Sequence, residues 1–155
     1  MSVKIKIISI GNSPPKLIQG ILVKYISRFD AHFKIELIEI KSEKNIKSIE
    51  QKKLQEAQKI LKFIDNDFIV SLDENGSTWS SKDLSENLSK WMQNFPKITF
   101  VIGGADGLDK KIIEDSNLVW SISKLTLPHN LVKIILVEQL YRASTMLNNH
   151  PYHRE

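Results

Sequence analysis

The chain has 155 residues, 41% hydrophobic and 26% charged, a composition and length that suit one globular domain spanning 1–155. It contains no cysteine, which excludes a disulfide framework and a Cys-based zinc site. Its formal net charge of +4 is uneven: residues 1–62 carry 13 Lys/Arg against 6 Asp/Glu, and residues 63–155 carry 9 against 12. A basic half is the footprint of a polyanion partner. Solvated Lys-rich helix faces would look the same, and on charge alone they are the simpler account. No apolar run approaches the roughly 18 residues needed to span a bilayer. The start, Met1-Ser2-Val3-Lys4-Ile5-Lys6-Ile7-Ile8, has no secretory h-region or cleavage site. A cytoplasmic protein with no membrane partner is expected.

In chain order, Val3 to Ile10 alternates and stops at Gly11, as a strand does. Asn12-Ser13-Pro14 signals a helix start, and Leu17, Ile18, Ile21, Leu22, Tyr25 and Phe29 follow at helical spacing. Phe33 to Ile40 reads as a second strand. Residues 41–51 are polar and begin as a loop, before Leu54, Ala57, Ile60, Leu61 and Ile64 form a helix stripe. Phe68 to Asp73 is a short buried strand ending in a turn at Glu74-Asn75-Gly76. Ser80 or Ser81 caps a helix through Leu84, Leu88, Trp91 and Met92, closed by Pro96.

Ile98 to Ile102 is the most strand-like run, and it leads directly into Gly103-Gly104-Ala105-Asp106-Gly107. A short helix over 108–115, a strand around 118–122 and a long helix over 130–148 complete the pattern. Strands alternating with helices imply an α/β fold, a mostly parallel sheet with helices on both faces. Ligands of such sheets sit outside the strands' carboxyl ends, here Leu72-Asp73, Gly103-Gly104 and the segment after Ile122.

Gly103-Gly104-x-x-Gly107 allows a close backbone approach to a nucleotide-type ligand, or makes a plain tight turn. It does not match G-x-G-x-x-G, which argues against a dinucleotide site. Ser121 to His129 is too irregular to continue as a strand. It forms either a loop with local turns at Ser123 and Thr126, or a rim offering backbone groups to an adenine edge, with Leu125 and Leu127 against the base. The tail His150-Pro151-Tyr152-His153-Arg154-Glu155 holds proton-transfer, stacking and anion-binding groups in place of the small residues of a fraying end. His150 and His153 straddle Pro151 without an acidic companion, so no metal is expected. Tyr152 and Arg154 suit stacking on splayed RNA bases. A tail pinned to a neighbouring subunit by Tyr152 fits equally.

Taken together, these segments resemble the RlmH type of SPOUT RNA methyltransferases. The stretches that carry the likeness are Leu72 to Gly76, Phe100 to Gly107, Ser121 to His129, Glu138 to Ala143 and His150 to Glu155. Ala105-Asp106 and Ile122 depart from the usual residues at their places. The resemblance implies a SPOUT-type fold with a C-terminal trefoil knot, a homodimer, and methyl transfer from S-adenosylmethionine to N3 of a pseudouridine in 23S rRNA. It places the methyl donor at Leu72, Gly103, Ile122, Ser123, Lys124, Leu125, Thr126 and Leu127.

On the acceptor side, residue chemistry and the tail's place in that pattern suggest Arg154 and Arg142 for anion contacts, Tyr152 for stacking, and His153 or His129 as proton acceptor. Lys16, Lys24, Arg28, Lys52 and Lys53 would extend the RNA footprint, which an assembled ribosomal particle would supply. The competing expectations are a non-enzymatic RNA-binding or ribosome-assembly module on the same fold, and a flavodoxin-like nucleotide binder with no role for the tail.

Overall fold

The computed structural model describes residues 2–46 and 48–154. Met1, Lys47 and Glu155, which fall in the strand-like start, the polar loop and the tail of the sequence reading, lie outside the described residues. The elements are β1 (Val3–Ile10), α1 (Lys16–Ile26), β2 (Phe33–Ile40), α2 (Ile49–Leu61) and β3 (Phe68–Thr78). They continue with α3 (Ser81–Asn94), β4 (Lys97–Ile102), α4 (Lys110–Asp115), β5 (Leu118–Ser121) and α5 (His129–Leu147). The five strands form one sheet in the order β2-β1-β4-β3-β5, and every neighbouring pair is parallel. The expected α/β fold with a parallel sheet is the one observed.

The period of two decides which residues feed which layer. Val3, Ile5 and Ile7 of β1, with Ile98, Phe100 and Ile102 of β4, pack under α1, α3 and α5 through Leu22, Leu84, Leu88, Leu136 and Leu140. Ile8, Ile10 and Val101 face the other way, against Ala57 and Ile60 of α2 and Ile112 of α4. Lys4 and Lys6 share that second face nearer the amino end. Lys6 is 7% exposed, and its Nζ lies 2.5 Å from Asp67 Oδ2 and bonds the Phe63 carbonyl. Thr99 Oγ1 donates to the same Asp67 oxygen at 2.5 Å. A buried charge is tolerated when it is paired and hydrogen-bonded, as this one is.

Several boundaries differ from the sequence reading by a residue or two, and three differences have a visible structural basis. α2 begins at Ile49, earlier than its apolar stripe, because the Ser48 side chain accepts from the Gln51 amide and caps a polar first turn. α1 starts at Lys16 behind Pro15, without a side-chain cap. β3 runs through Glu74-Asn75-Gly76 where a turn was expected, with a register shift against β5 between Leu72 and Ser77. A Cβ at Gly76 would stand 2.7–2.8 Å from the Val119 and Trp120 backbone. The glycine is there so that β3 can pass flush against β5, not to reverse the chain.

Candidate active site at the carboxyl edge of the sheet

The middle of β3 and the carboxyl ends of β4 and β5 surround a cleft of about 730 Å³, within the size range of small-molecule sites. Leu72, Asp73 and Glu74 line it from β3. Ile102 to Gly107 line it from the end of β4, and Ser121, Ile122, Ser123 and Leu125 to His129 from the segment after β5. Val132 adds the first turn of α5.

The glycine loop has a structural explanation as well as a position in the site. Gly107 NH donates to the Gly104 carbonyl at 3.0 Å, and Gly107 sits at φ +81°, open to glycine and strained for other residues. A Cβ at Gly103 would meet the Gly107 and Leu108 backbone at 2.8–2.9 Å. The loop therefore folds tightly on itself and presents its outer backbone to the cleft. Lys52 Nζ of α2 bonds Asp106 Oδ2 at 2.8 Å, and this hydrogen bond raises the Lys52 ammonium pKa above its ordinary value.

The segment after β5 is built by its own hydroxyls. Ser121 Oγ donates to the Ser123 carbonyl at 2.8 Å, and Ser123 Oγ accepts from the Leu125 amide at 2.9 Å. Leu125 is left 72% exposed at the cleft rim, an apolar surface ready for a flat ring. Thr126 Oγ1 reaches Glu74 Oε2 at 3.4 Å and ties this segment to the middle of β3. The local-turn reading of Ser121–His129 is observed at Ser123, and these turns shape the rim.

Seven of the eight residues expected around a methyl donor line the cleft: Leu72, Gly103, Ile122, Ser123, Leu125, Thr126 and Leu127. Lys124 is exposed and is not part of the lining. His129 opens α5 and also lines the cleft. Its Nε2 is buried without a hydrogen-bond partner among the described residues, and a Cβ on Gly11 would stand 3.0 Å from it. The Asn130 Oδ1 next to it is likewise unpartnered. The free amides of the α5 first turn carry partial positive charge toward the same opening.

The tail gathers elsewhere. Asn149 turns the chain at φ +55°, His150 NH donates to the Thr145 carbonyl at 2.8 Å, and the remaining residues fold back along α5. Arg142 binds Glu138 Oε1 through Nε at 3.0 Å and Nη2 at 2.6 Å. Tyr152 donates its hydroxyl to the same oxygen at 3.2 Å and sets its ring edge-on to Tyr141. The Arg142 guanidinium lies 4.9 Å over the Tyr152 ring, and its Nη1 is 3.3 Å from His153 Nδ1. Burial, then the Glu138 carboxylate, push the Tyr152 phenol up to about 12, so it stays a donor.

Arg142, Tyr152 and His153 are thus brought together, with Arg154 exposed beside them. His129 is not: from His129 to Glu138 is about 13 Å along the helix axis at 1.5 Å per residue. Within one protomer the tail does not reach the cleft. Sequence reasoning gave no role to Glu138, the centre of this cluster, although its spacing of four residues from Arg142 is a recognisable ion-pair signal. Among the described residues no three His, Asp or Glu side chains are grouped to hold a metal ion. Nor is any described helix long and apolar enough to cross a membrane.

A parallel sheet with a folded glycine loop and a rimmed cleft at its carboxyl edge defines an α/β protein with one principal ligand site. A family model described as a SPOUT methyltransferase matches residues 3–153. The chain is 39% identical to "Ribosomal RNA large subunit methyltransferase H" of Methylobacillus flagellatus, covering 98% of this chain and 99% of that protein. It is 42% identical to the protein of the same name from Francisella tularensis subsp. novicida, covering 97% and 99%. Among solved structures, a tRNA (m1G37) methyltransferase from Aquifex aeolicus matches the fold with a TM-score of 0.61 at 12% identity, over 100% of this chain and 76% of that one. A structure described as "a probable methylase family protein" from Haemophilus influenzae matches with a TM-score of 0.56 at 15% identity, over 97% and 70%. The chain belongs to the SPOUT methyltransferase family, and it is a methyltransferase.

Proposed function

We propose that this enzyme transfers a methyl group from S-adenosylmethionine to N3 of a pseudouridine in 23S rRNA, working in the cytoplasm as a homodimer of single-domain, trefoil-knotted chains. The rRNA substrate is supported by the name that relatives carry across nearly their whole length. The single observation carrying the donor site is the cleft in which Leu72, Gly103, Ile122, Ser123 and Leu125 to Leu127 meet.

The donor supplies an electrophilic methyl on a sulfonium, and its chemistry fits the lining. Leu72, Ile102, Ile122, Leu125 and Leu127 give apolar walls for a base, while Asp73 and Glu74 bring carboxylates toward a net-cationic ligand. An imide N–H is a weak nucleophile until it loses its proton. Of the two candidate acceptors for that proton, His129 lines the cleft with a free buried Nε2, whereas His153 Nδ1 is engaged with Arg142. His129 would take the N3 proton, and a donor held by Leu72, Gly103 and the rim after β5 would supply the methyl group to N3 and keep the C–S bond electrons on sulfur.

Arg154 binds phosphate, and Tyr152, held by Glu138 and Arg142, offers a ring to the RNA. Tyr152 and His153 pack on Glu138 and Arg142, and none of these four lines the cleft, which supports tail action on the cleft of the second protomer. The test is transfer of labelled methyl to free large-subunit rRNA, to 50S and to 70S particles, with the nucleotide mapped. Label at N3 of one pseudouridine is the expected result. A protein that binds rRNA but never the donor would instead be the assembly module.

A further inference from the structure

The buried stripe of α5 runs through Leu136, Val137 and Leu140, and the position that opens it is Lys133. Lys133 is 1% exposed, and its Nζ reaches Glu39 Oε1 of β2 at 2.8 Å. Burying an ammonium against a carboxylate costs desolvation that their attraction barely offsets, so such a pair is weak evidence for stability and better suited to fixing a register. Neither residue lines the donor cleft or joins the tail cluster. We propose that Lys133 and Glu39 are positioning residues for His129, pinning the first turns of α5 to β2 so that the imidazole is held over Gly11 beside the donor cleft.

The inference rests on the methyltransferase reading above, with His129 as proton acceptor, and adds what holds that acceptor in place. Three observations carry it. First, α5 begins behind Pro128 with no side-chain cap bond among the described residues, so its first turn depends on tertiary contacts. Second, His129 and Lys133 are four residues apart and share one face of the helix. That face lies on the carboxyl ends of β1 and β2. Glu39 is in register with Ser9, and the Gly11 amide donates to the Ile40 carbonyl at 2.9 Å. A Cβ at Gly11 would stand 3.0 Å from His129 Nε2, so the ion pair and the imidazole rest on adjacent strands, one helical turn apart. Third, His129 Nε2 is buried without a partner among the described residues, and no hydrogen bond at that atom orients the ring. Its placement follows the helix that carries it, and a displacement of about 1 Å in a reacting group can cost about a hundredfold in rate.

The experiment uses the full chain and removes the pair without stranding either charge. Lys133→Met combined with Glu39→Gln keeps both side-chain shapes, so Tm should hold and S-adenosylmethionine affinity should stay within about threefold. Methyl transfer to 70S particles should fall about tenfold or more in kcat, with KM little changed. Lys133→Arg returns a cation to Glu39 and should transfer within about threefold of the native rate. A second readout needs no substrate. The His129 imidazole carbon–proton NMR resonance, assigned by its loss in His129→Gln, should shift or broaden in the double variant and return in Lys133→Arg. A folded double variant with an unmoved His129 resonance and full kcat would overturn the inference. Unfolding of the double variant would overturn it too, by assigning the pair to stability. Absence of donor binding by the unmodified protein contradicts the methyltransferase reading instead, and the imidazole resonance still decides the pin.

Discussion

At the amino ends of the strands, Lys6, Asp67 and Thr99 close a buried network in which each polar group has a partner. At the carboxyl ends, His129 Nε2 and Asn130 Oδ1 are buried with none, and Leu125 stands exposed on the rim. The same five strands carry both ends, and β1 holds Lys6 at one and leads into Gly11 at the other. Buried polar groups are stabilised where they are satisfied, and those left without partners mark the end suited to a ligand.

The contrast is broken most sharply at its satisfied end. Asp67→Ala strands the Lys6 ammonium and should cost about 3–5 kcal/mol in chemical denaturation, without changing donor affinity in the folded protein. At the open end the expected signs reverse. Gly103→Val drives side-chain atoms into the Gly107–Leu108 backbone. It should weaken S-adenosylmethionine binding about tenfold or more by calorimetry, because the loop must shift out of its folded form.

Two smaller effects calibrate the scale. Ser80 and Asp83 form a reciprocal capping box on α3, so Ser80→Ala should cost about 1 kcal/mol. The bonds from Ser80 hold the Asp83 carboxyl below its usual value. That share of stability is therefore present above the unfolded carboxylate pKa and lost as pH falls through the lower folded one, which acid titration of the Ser80→Ala and native proteins would separate. Tyr152 has the opposite sign, since its folded pKa is raised to about 12. Tail docking should hold below the ordinary phenol value and be lost as pH rises toward that figure, followed by tyrosinate absorbance. Gly20 of α1 has open space around its Cβ position, and Gly20→Ala should stabilise by about 0.5–1 kcal/mol in the same denaturation assay.

The layers of the fold were legible because burial writes a period of two into β1 and β4 and helical spacing into α3. The position of the cleft was legible for a related reason, since open parallel sheets form their crevices outside the strands' carboxyl ends. Gly76 was misread because a glycine that permits close approach and a glycine that permits a turn are the same letter. Lys124 falls outside the lining because the Ser121 and Ser123 hydroxyls curl the backbone and turn that residue to solvent. The tail's chemistry was readable, but its fold-back on Glu138 depends on a left-handed Asn149 and on contacts across α5, which residue order does not reveal.

The most direct test of the account is calorimetry of S-adenosylmethionine on the full chain and on a chain lacking residues 150–155, paired with methyl transfer to 70S particles. The account predicts equal donor affinity in both, because the carboxyl-edge cleft is built without the tail, and transfer by the full chain alone. Failure of the full chain to bind the donor, or undiminished transfer by the truncated one, would contradict it.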